Sequence, residues 1–194
     1  MSSELPVICL VRHGETAWSL TGQHTGLSDL PLTERGERAA RALVPRLRAP
    51  RFALVLTSPL QRAVRTCELA GFSAVAQVDA DLCEWNYGAE GRTTAQIRAE
   101  RPDWDLFRDG CPDGECAVEV GARADRVIAR VRAAAGNALL FSSGHILRVL
   151  AARWLDLPPQ SGRLLQLGTA SVSVLGYEHG PHEPVVQLWN ETRR

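Results

Sequence analysis

Two histidines stand at matching places in the chain. His13 follows the apolar run Val7–Val11, in the segment Arg12-His13-Gly14-Glu15-Thr16. His145 follows the apolar run Ala138–Phe141, in the segment Ser142-Ser143-Gly144-His145. Each run reads as a short buried strand ending in a turn. In open α/β sheets, ligands bind outside the carboxyl ends of the strands. Both imidazoles are therefore expected at one sheet edge, where helix N-termini favour anions. Arg12 lies there too, and Arg62 reaches the same edge from the first turn of the helix after the second strand. Two Arg and two His make a site for a dianionic phosphate. A neutral imidazole is a competent nucleophile towards phosphorus. The second imidazole, if protonated, stabilises charge on the transferring oxygens. A leaving alkoxide then needs a proton. Glu84, between Cys83 and Trp85 and close to Tyr87, is the local candidate. Burial near phosphate charge is expected to raise its pKa and keep it protonated near neutral pH.

The elements that must position these groups follow from the periodicity. Thr33 reads as an N-cap, with Ala39, Ala40, Leu43, Val44 and Leu47 at helical spacing and Pro50 closing that region. Phe52–Leu56 reads as a second buried strand. Ser58-Pro59-Leu60-Gln61 reads as a helix start, with Ser58 capping and Pro59 at the first helical position. Val75–Val78 is a third strand. The polar stretch Asp79–Gly114 carries one helix near Thr94–Glu100 and is too long for a plain connection. A helix spans Glu115–Ala135, and another runs from the Gly144-His145 turn to Leu155. Val172–Tyr177 and Val185–Trp189 form a last pair of strands. Strands alternating with helices predict a three-layer α/β/α sandwich with a mostly parallel central sheet. At 194 residues, one domain over 1–194 is expected.

Composition narrows the partners. Lys+Arg number 22 and Asp+Glu 22, so net charge is zero, and neither a nucleic-acid nor a membrane surface is expected. No apolar run is long enough to span a bilayer. Five scattered Cys fit a reducing, cytoplasmic setting. Cys111 and Cys116 lack a metal-ligand spacing, and no Walker-type phosphate loop or dinucleotide motif is present. No metal and no cofactor are expected. The partner is expected to be a small phosphate ester, and a homodimer is left open. His24 reads as a surface-loop residue that sits close enough in sequence to the phosphate loop to touch substrate. Trp104 and Phe107 read equally as loop packing or as walls of a substrate pocket.

These motifs together resemble the histidine phosphatase superfamily, the phosphoglycerate mutase-like group. The RHG signature stands as Arg12-His13-Gly14. The SPLxRAxxT pattern stands as Ser58-Pro59-Leu60-Gln61-Arg62-Ala63-Val64-Arg65-Thr66, and the late GH as Gly144-His145. Within the superfamily, the segments Gly22–Thr33, Glu84–Gly88 and Trp104–Glu115 are similar to bacterial acid phosphatase and sedoheptulose-bisphosphatase-like members. The resemblance implies a phosphoglycerate mutase-like fold and a metal-independent phosphatase. It makes His13 the phosphorylated nucleophile and has Arg12, Arg62 and His145 hold the phosphoryl group. Glu84 becomes proton donor and then base, and Ser19, Thr25 and Gly26 approach the phosphate or substrate. The short stretch between Glu84 and His145 looks like a phosphatase. A mutase-type phosphoryl transfer and a non-catalytic phosphate-ligand binding protein are the alternatives. Ser143 and Cys116 depart from the pattern, where many relatives carry His and Ser or Thr.

Overall fold

The computed structural model describes residues 5–49 and 51–192. The first strand, β1 (Ile8–Arg12), leads to a short helix, α1 (Ala17–Thr21), and to α2 (Glu34–Arg41). After β2 (Leu54–Thr57) come α3 (Gln61–Leu69) and β3 (Gln77–Val78). The long polar region holds α4 (Thr94–Glu100) and α5 (Leu106–Asp109). Then follow α6 (Ala117–Ala133), β4 (Ala138–Ser142), α7 (Gly144–Trp154) and a 3-10 segment, Pro159–Leu164. The hairpin of β5 (Val172–Tyr177) and β6 (Pro184–Glu191) ends the fold.

The six strands form one mixed sheet in the order β3-β2-β4-β1-β5-β6. The neighbours β3, β2, β4 and β1 are parallel, and β5 runs antiparallel to both β1 and β6. Alternation along the strands builds the three layers, because successive side chains point to opposite faces. Ile8, Leu10, Ala138 and Leu140 pack in one core with Val127 of α6 and Leu150 of α7. Cys9, Val11, Leu139 and Phe141 pack in the other, with Cys67 of α3. β1 and β4 lie side by side, Arg12 level with Ser142. The residues that follow these two strands therefore emerge together.

Several boundaries shift by a residue or two from the sequence reading, and three shifts have a physical cause. The helix after Thr33 stops at Arg41, and only a 3-10 turn covers Val44–Arg46. Pro45 is the cause, since proline has no N–H to give and clashes with the carbonyl four residues back. Pro50 lies outside the described residues. The third strand shrinks to Gln77–Val78 at the sheet edge, with Val75 and Val78 exposed. Helix α3 starts at Gln61 rather than at Pro59, and Ser58 does not cap it. Asp29 takes that role from a distant loop, its carboxylate accepting from the Gln61 N–H at 2.7 Å.

Candidate active site

The site sits where β1 and β4 end. The His13 N–H donates to the Ser142 carbonyl at 2.9 Å, which carries the strand pairing one residue past β1. Nδ1 of His13 lies 2.7 Å from the Gly14 carbonyl oxygen. A carbonyl only accepts, so Nδ1 holds the hydrogen and Nε2 holds the free lone pair. Burial, with the charges of Arg12 and Arg62, pulls the His13 pKa down to about 3, so the ring is neutral over the physiological range.

The SPLxRAxxT pattern acquires a mechanical meaning. Thr66 donates its hydroxyl to the Arg62 carbonyl at 2.7 Å and accepts from the Gly14 N–H at 3.0 Å, tying the two motifs together. Arg62 is fully buried. Its Nη1 donates to the Ser28 carbonyl (2.8 Å), Nη2 to the Gly26 carbonyl (2.7 Å) and Nε to the Ser143 hydroxyl (3.4 Å). Ser143 thus meets Arg62. Arg12 donates from Nη1 to the Leu167 carbonyl at 2.5 Å, while its buried Nε has no hydrogen-bond partner among the described residues. Gly144 lets Arg12 pack closely, because a Cβ there would lie 3.3 Å from the Arg12 guanidinium carbon.

Glu84 is buried at the N-terminus of α7. Its carboxylate accepts from the Trp85 and Ile146 N–H groups at 2.9 and 3.0 Å and from the His145 N–H at 3.1 Å. It thereby fills the place of an N-cap, since the Ser143 side chain makes no capping bond. This corrects the expected direction of its pKa. Burial alone pushes the group up, but the neighbouring His145 and the three backbone donors outweigh it and hold the carboxyl at about 2. Without ligand the group is a carboxylate.

His145 is also neutral rather than protonated. Burial draws its pKa down to about 3, against the pull of Glu84. Its Nδ1 is 2.5 Å from the Tyr87 hydroxyl and 3.9 Å from Glu84 Oε2, which leaves Nε2 for a ligand. Burial raises the Tyr87 pKa well above its ordinary value, so the phenol keeps its proton.

A cavity of about 200 Å³ opens over these groups, and Arg12, His13, Arg62, Glu84 and His145 all line it. Ser19 and Thr25 line it as well. The Ser19 hydroxyl donates to the Thr16 carbonyl and accepts from the Thr16 N–H, in a capping box at the start of α1. Gly26 does not line the cavity and serves through its carbonyl on Arg62. His24 is half-buried and takes the second of the two places read for it. It lines the cavity, stacks parallel to His145 at 6.1 Å and meets the Thr94 hydroxyl at 3.1 Å. Trp104 and Phe107 are buried and do not line the cavity. The Phe107 ring packs 5.5 Å from His145, supporting it. Cys116 starts α6, where its N–H donates to Glu119 at 2.8 Å, and it is not a cavity residue.

Sequence reasoning missed Arg148, Thr94 and Leu167 as cavity residues. For Arg148 a signal existed, since it stands three residues after His145 and so shares its helix face. Among the described residues, one group of side chains is close enough to share a metal ion, Glu178, His179 and Glu183. It is exposed on the β5–β6 hairpin, and none of the three lines the cavity. No helix among the described residues is long and apolar enough to cross a membrane.

Paired neutral imidazoles, two buried guanidiniums and a carboxylate at one sheet edge define a phosphoryl-handling α/β protein. The chain belongs to the histidine phosphatase superfamily (branch 1), whose model matches residues 8–192. It is 39% identical over 184 residues to an acid phosphatase of Mycobacterium tuberculosis (strain ATCC 25618 / H37Rv), covering 92% of this chain and 90% of that protein. It is 37% identical over 196 residues to sedoheptulose 1,7-bisphosphatase of Saccharomyces cerevisiae (strain ATCC 204508 / S288c), covering 82% and 71%. The solved structure of the product of a Mycobacterium tuberculosis open reading frame superposes with a TM-score of 0.89 at 36% identity, covering 97% of this chain and 99% of that one.

Proposed function

We propose that the chain hydrolyses small phosphate monoesters through a phosphohistidine on His13. The observation that carries this reading is the bond from His13 Nδ1 to the Gly14 carbonyl, which fixes a neutral ring with its lone pair on Nε2. Nε2 attacks phosphorus, and the bond from phosphorus to the ester oxygen breaks. Arg12, Arg62 and the free nitrogen of His145 hold the phosphoryl oxygens as charge moves onto them. At mildly acidic pH the ester enters as a monoanion, because its second phosphate pKa lies near 6. That proton passes through Glu84 to the leaving oxygen. The Glu84 carboxylate then takes a proton from water, and the hydroxide so formed displaces His13 from phosphorus. Glu84 passes that proton to the departing phosphate, inorganic phosphate leaves as the monoanion, and His13 and Glu84 return to their starting forms.

The relatives' names, an acid phosphatase and a sugar bisphosphatase, support a soluble small-molecule ester as substrate. A cavity of about 200 Å³ is below the usual range for drug-sized ligands and suits a compact ester. The test is His13→Ala. Turnover of p-nitrophenyl phosphate falls by about a thousandfold or more, as when a nucleophile is removed, and labelled phosphoenzyme no longer forms in an acid-quenched reaction. Turnover within tenfold of wild type would remove His13 from the nucleophile's role. Conversion of 3-phosphoglycerate to its isomer with little free phosphate would favour phosphoryl transfer over hydrolysis. Phosphate binding without turnover of any ester would leave a binding protein.

A further inference from the structure

Glu90 follows the 84–87 loop, is half-buried and does not line the cavity. Its carboxylate accepts from two successive backbone N–H groups, that of Leu27 at 2.5 Å and that of Ser28 at 2.7 Å. It forms no ion pair among the described residues. The turn it grips is the one that holds Arg62. The Ser28 N–H also donates to the Thr25 carbonyl at 3.0 Å, and Gly26 bends the turn at a φ of 50°. On the far side of that turn the Gly26 and Ser28 carbonyls accept from Nη2 and Nη1 of Arg62. The Gly26 carbonyl and the Leu27 N–H belong to one peptide group. That group therefore accepts from Arg62 at its oxygen and donates to Glu90 at its nitrogen. A Cβ on Gly26 would collide with Glu90 Oε1, so the grip and the positive φ together call for glycine there. Two backbone bonds fasten the same strip of chain. The His24 N–H donates to the Arg92 carbonyl at 2.9 Å, and the Gly91 N–H to the His24 carbonyl at 2.8 Å.

We infer that Glu90 is a positioning residue for Arg62, acting through the 26–28 peptide groups without touching the guanidinium or the substrate. The inference rests on the phosphatase reading and adds to it the group that orients one of its phosphoryl-holding arginines. Arg62 spends one N–H of each nitrogen on Ser143, Ser28 and Gly26, which leaves one on Nη1 and one on Nη2 for phosphoryl oxygens. An acid bonded directly to the guanidinium would compete for those two. An acid one peptide group behind it does not. The N–H and C=O of an amide polarise each other, so a carboxylate on the N–H strengthens the carbonyl's hold on a cation. The same carboxylate fixes the plane of the peptide, and through it the direction in which Arg62 points. Small misplacements of such a group are costly to the reaction.

The experiment is a double-variant cycle between Glu90 and Arg62, read on p-nitrophenyl phosphate. Glu90→Gln keeps the size of the side chain but turns one acceptor oxygen into a donor, so one N–H of the turn loses its partner. It is expected to lower kcat/KM about tenfold, the value of one charge-assisted bond, and Glu90→Ala about 10- to 100-fold. In the Arg62→Ala background, either Glu90 change is expected to cost less than about twofold, because the group it orients is gone. The loss from Glu90→Gln is expected to be equal on alkyl and p-nitrophenyl esters, since Arg62 holds the phosphoryl group that they share. A residue that only stiffens the loop would cost the Arg62→Ala enzyme as much as the wild type, and such additive losses overturn the inference. So does a Glu90→Gln enzyme within about twofold of wild type. A Glu90→Gln chain that melts below the assay temperature overturns it too, because Glu90 would then be holding the fold. If the wild type turns over no ester, the phosphatase reading fails instead, and the cycle is read on the Kd of inorganic phosphate by calorimetry. The same loss, absent without Arg62, is expected there, and additive losses again overturn the inference.

Discussion

Along the outer side of α6, three arginines reach back to the long polar region, and each meets an acid. Arg123 grips Glu115 with two bonds of 2.8 Å, Arg126 grips Asp81 at 2.6 and 2.8 Å, and Arg130 meets Asp79 at 2.8 Å. The cavity also holds three arginines, and Arg12, Arg62 and Arg148 meet carbonyl oxygens instead. The seam along α6 uses charge to join two parts of the chain and cancels it in doing so. The cavity uses neutral acceptors to fix cations whose charge stays available. Net charge is zero for the chain as a whole, so this local choice of partner, rather than composition, sets the charge of the cavity.

The comparison is broken most directly at Arg62. Replacing it by Ala removes a buried charge and strands the Gly26 and Ser28 carbonyls. A loss of about 10²- to 10³-fold in kcat/KM on p-nitrophenyl phosphate is expected, the cost of one preorganised donor in an anion hole. Arg62→Lys keeps the charge but cannot reach three acceptors at once, and is expected to recover only part of the loss. Steady-state kinetics decide it. If Arg62→Ala retains activity within tenfold, carbonyl-held arginines do not mark the working cations.

Glu84 comes next, because it is the acid set against those cations. Glu84→Gln is expected to lower kcat on alkyl phosphates by about a hundredfold, within the usual range for a general acid. The loss on p-nitrophenyl phosphate is expected to be under tenfold, since that leaving group needs little protonation. With the His13 pKa at about 3 and the ester's second pKa near 6, kcat/KM on an alkyl ester is expected to be flat between those values and to fall above them. A maximum above pH 7.5 would remove the monoanion route through Glu84.

Most of this arrangement was legible, and what was not has one physical cause. Apolar runs before Arg12 and before Ser142 placed both histidines at one edge, because a buried parallel strand reads as an uninterrupted hydrophobic segment. The helix at Thr94–Glu100 and the buried stripe of α6 follow the helical period. The misses are contacts that close over long sequence separations. Asp29 caps α3, the Glu84 carboxylate caps α7, and Tyr87 meets His145, and no local pattern encodes any of them. The direction of the Glu84 pKa depended on those contacts. From its neighbours alone, burial was the visible influence, and burial pushes a carboxyl up. Two of the three N–H donors, those of His145 and Ile146, meet Glu84 only once α7 is docked against the 84–87 loop.

A smaller effect separates the buried rings from the buried acid. His13 and His145 titrate near 3 in the folded chain and near 6.5 when unfolded, so the unfolded chain binds protons first. Stability is therefore expected to fall as pH drops from about 6.5 towards 3. Glu84 is depressed from 4.5 to about 2, so its contribution is complete above 4.5 and is lost as pH falls towards 2. Between pH 6.5 and 4.5 only the histidines act among these three groups. In urea unfolding over that window, His13→Ala is expected to shallow the slope of stability against pH by up to one proton. An unchanged slope would mean that His13 is not a neutral buried ring.

The smallest expected effect is on the α6 seam, and it sharpens the comparison from the other side. Arg126 and Arg130 are substantially exposed, and their carboxylate partners already cancel their charge locally. Exposed pairs contribute little, because solvent screens the attraction and two long side chains lose freedom to make it. The double variant Arg126→Ala with Arg130→Ala is expected to shift Tm by less than about 3 °C and to leave kcat/KM on p-nitrophenyl phosphate unchanged. Thermal melts and the same kinetic assay settle it. A tenfold change in kcat/KM would show that the seam's charge reaches the cavity across the 79–115 region. The division between cancelled and available arginines would then no longer explain where activity resides.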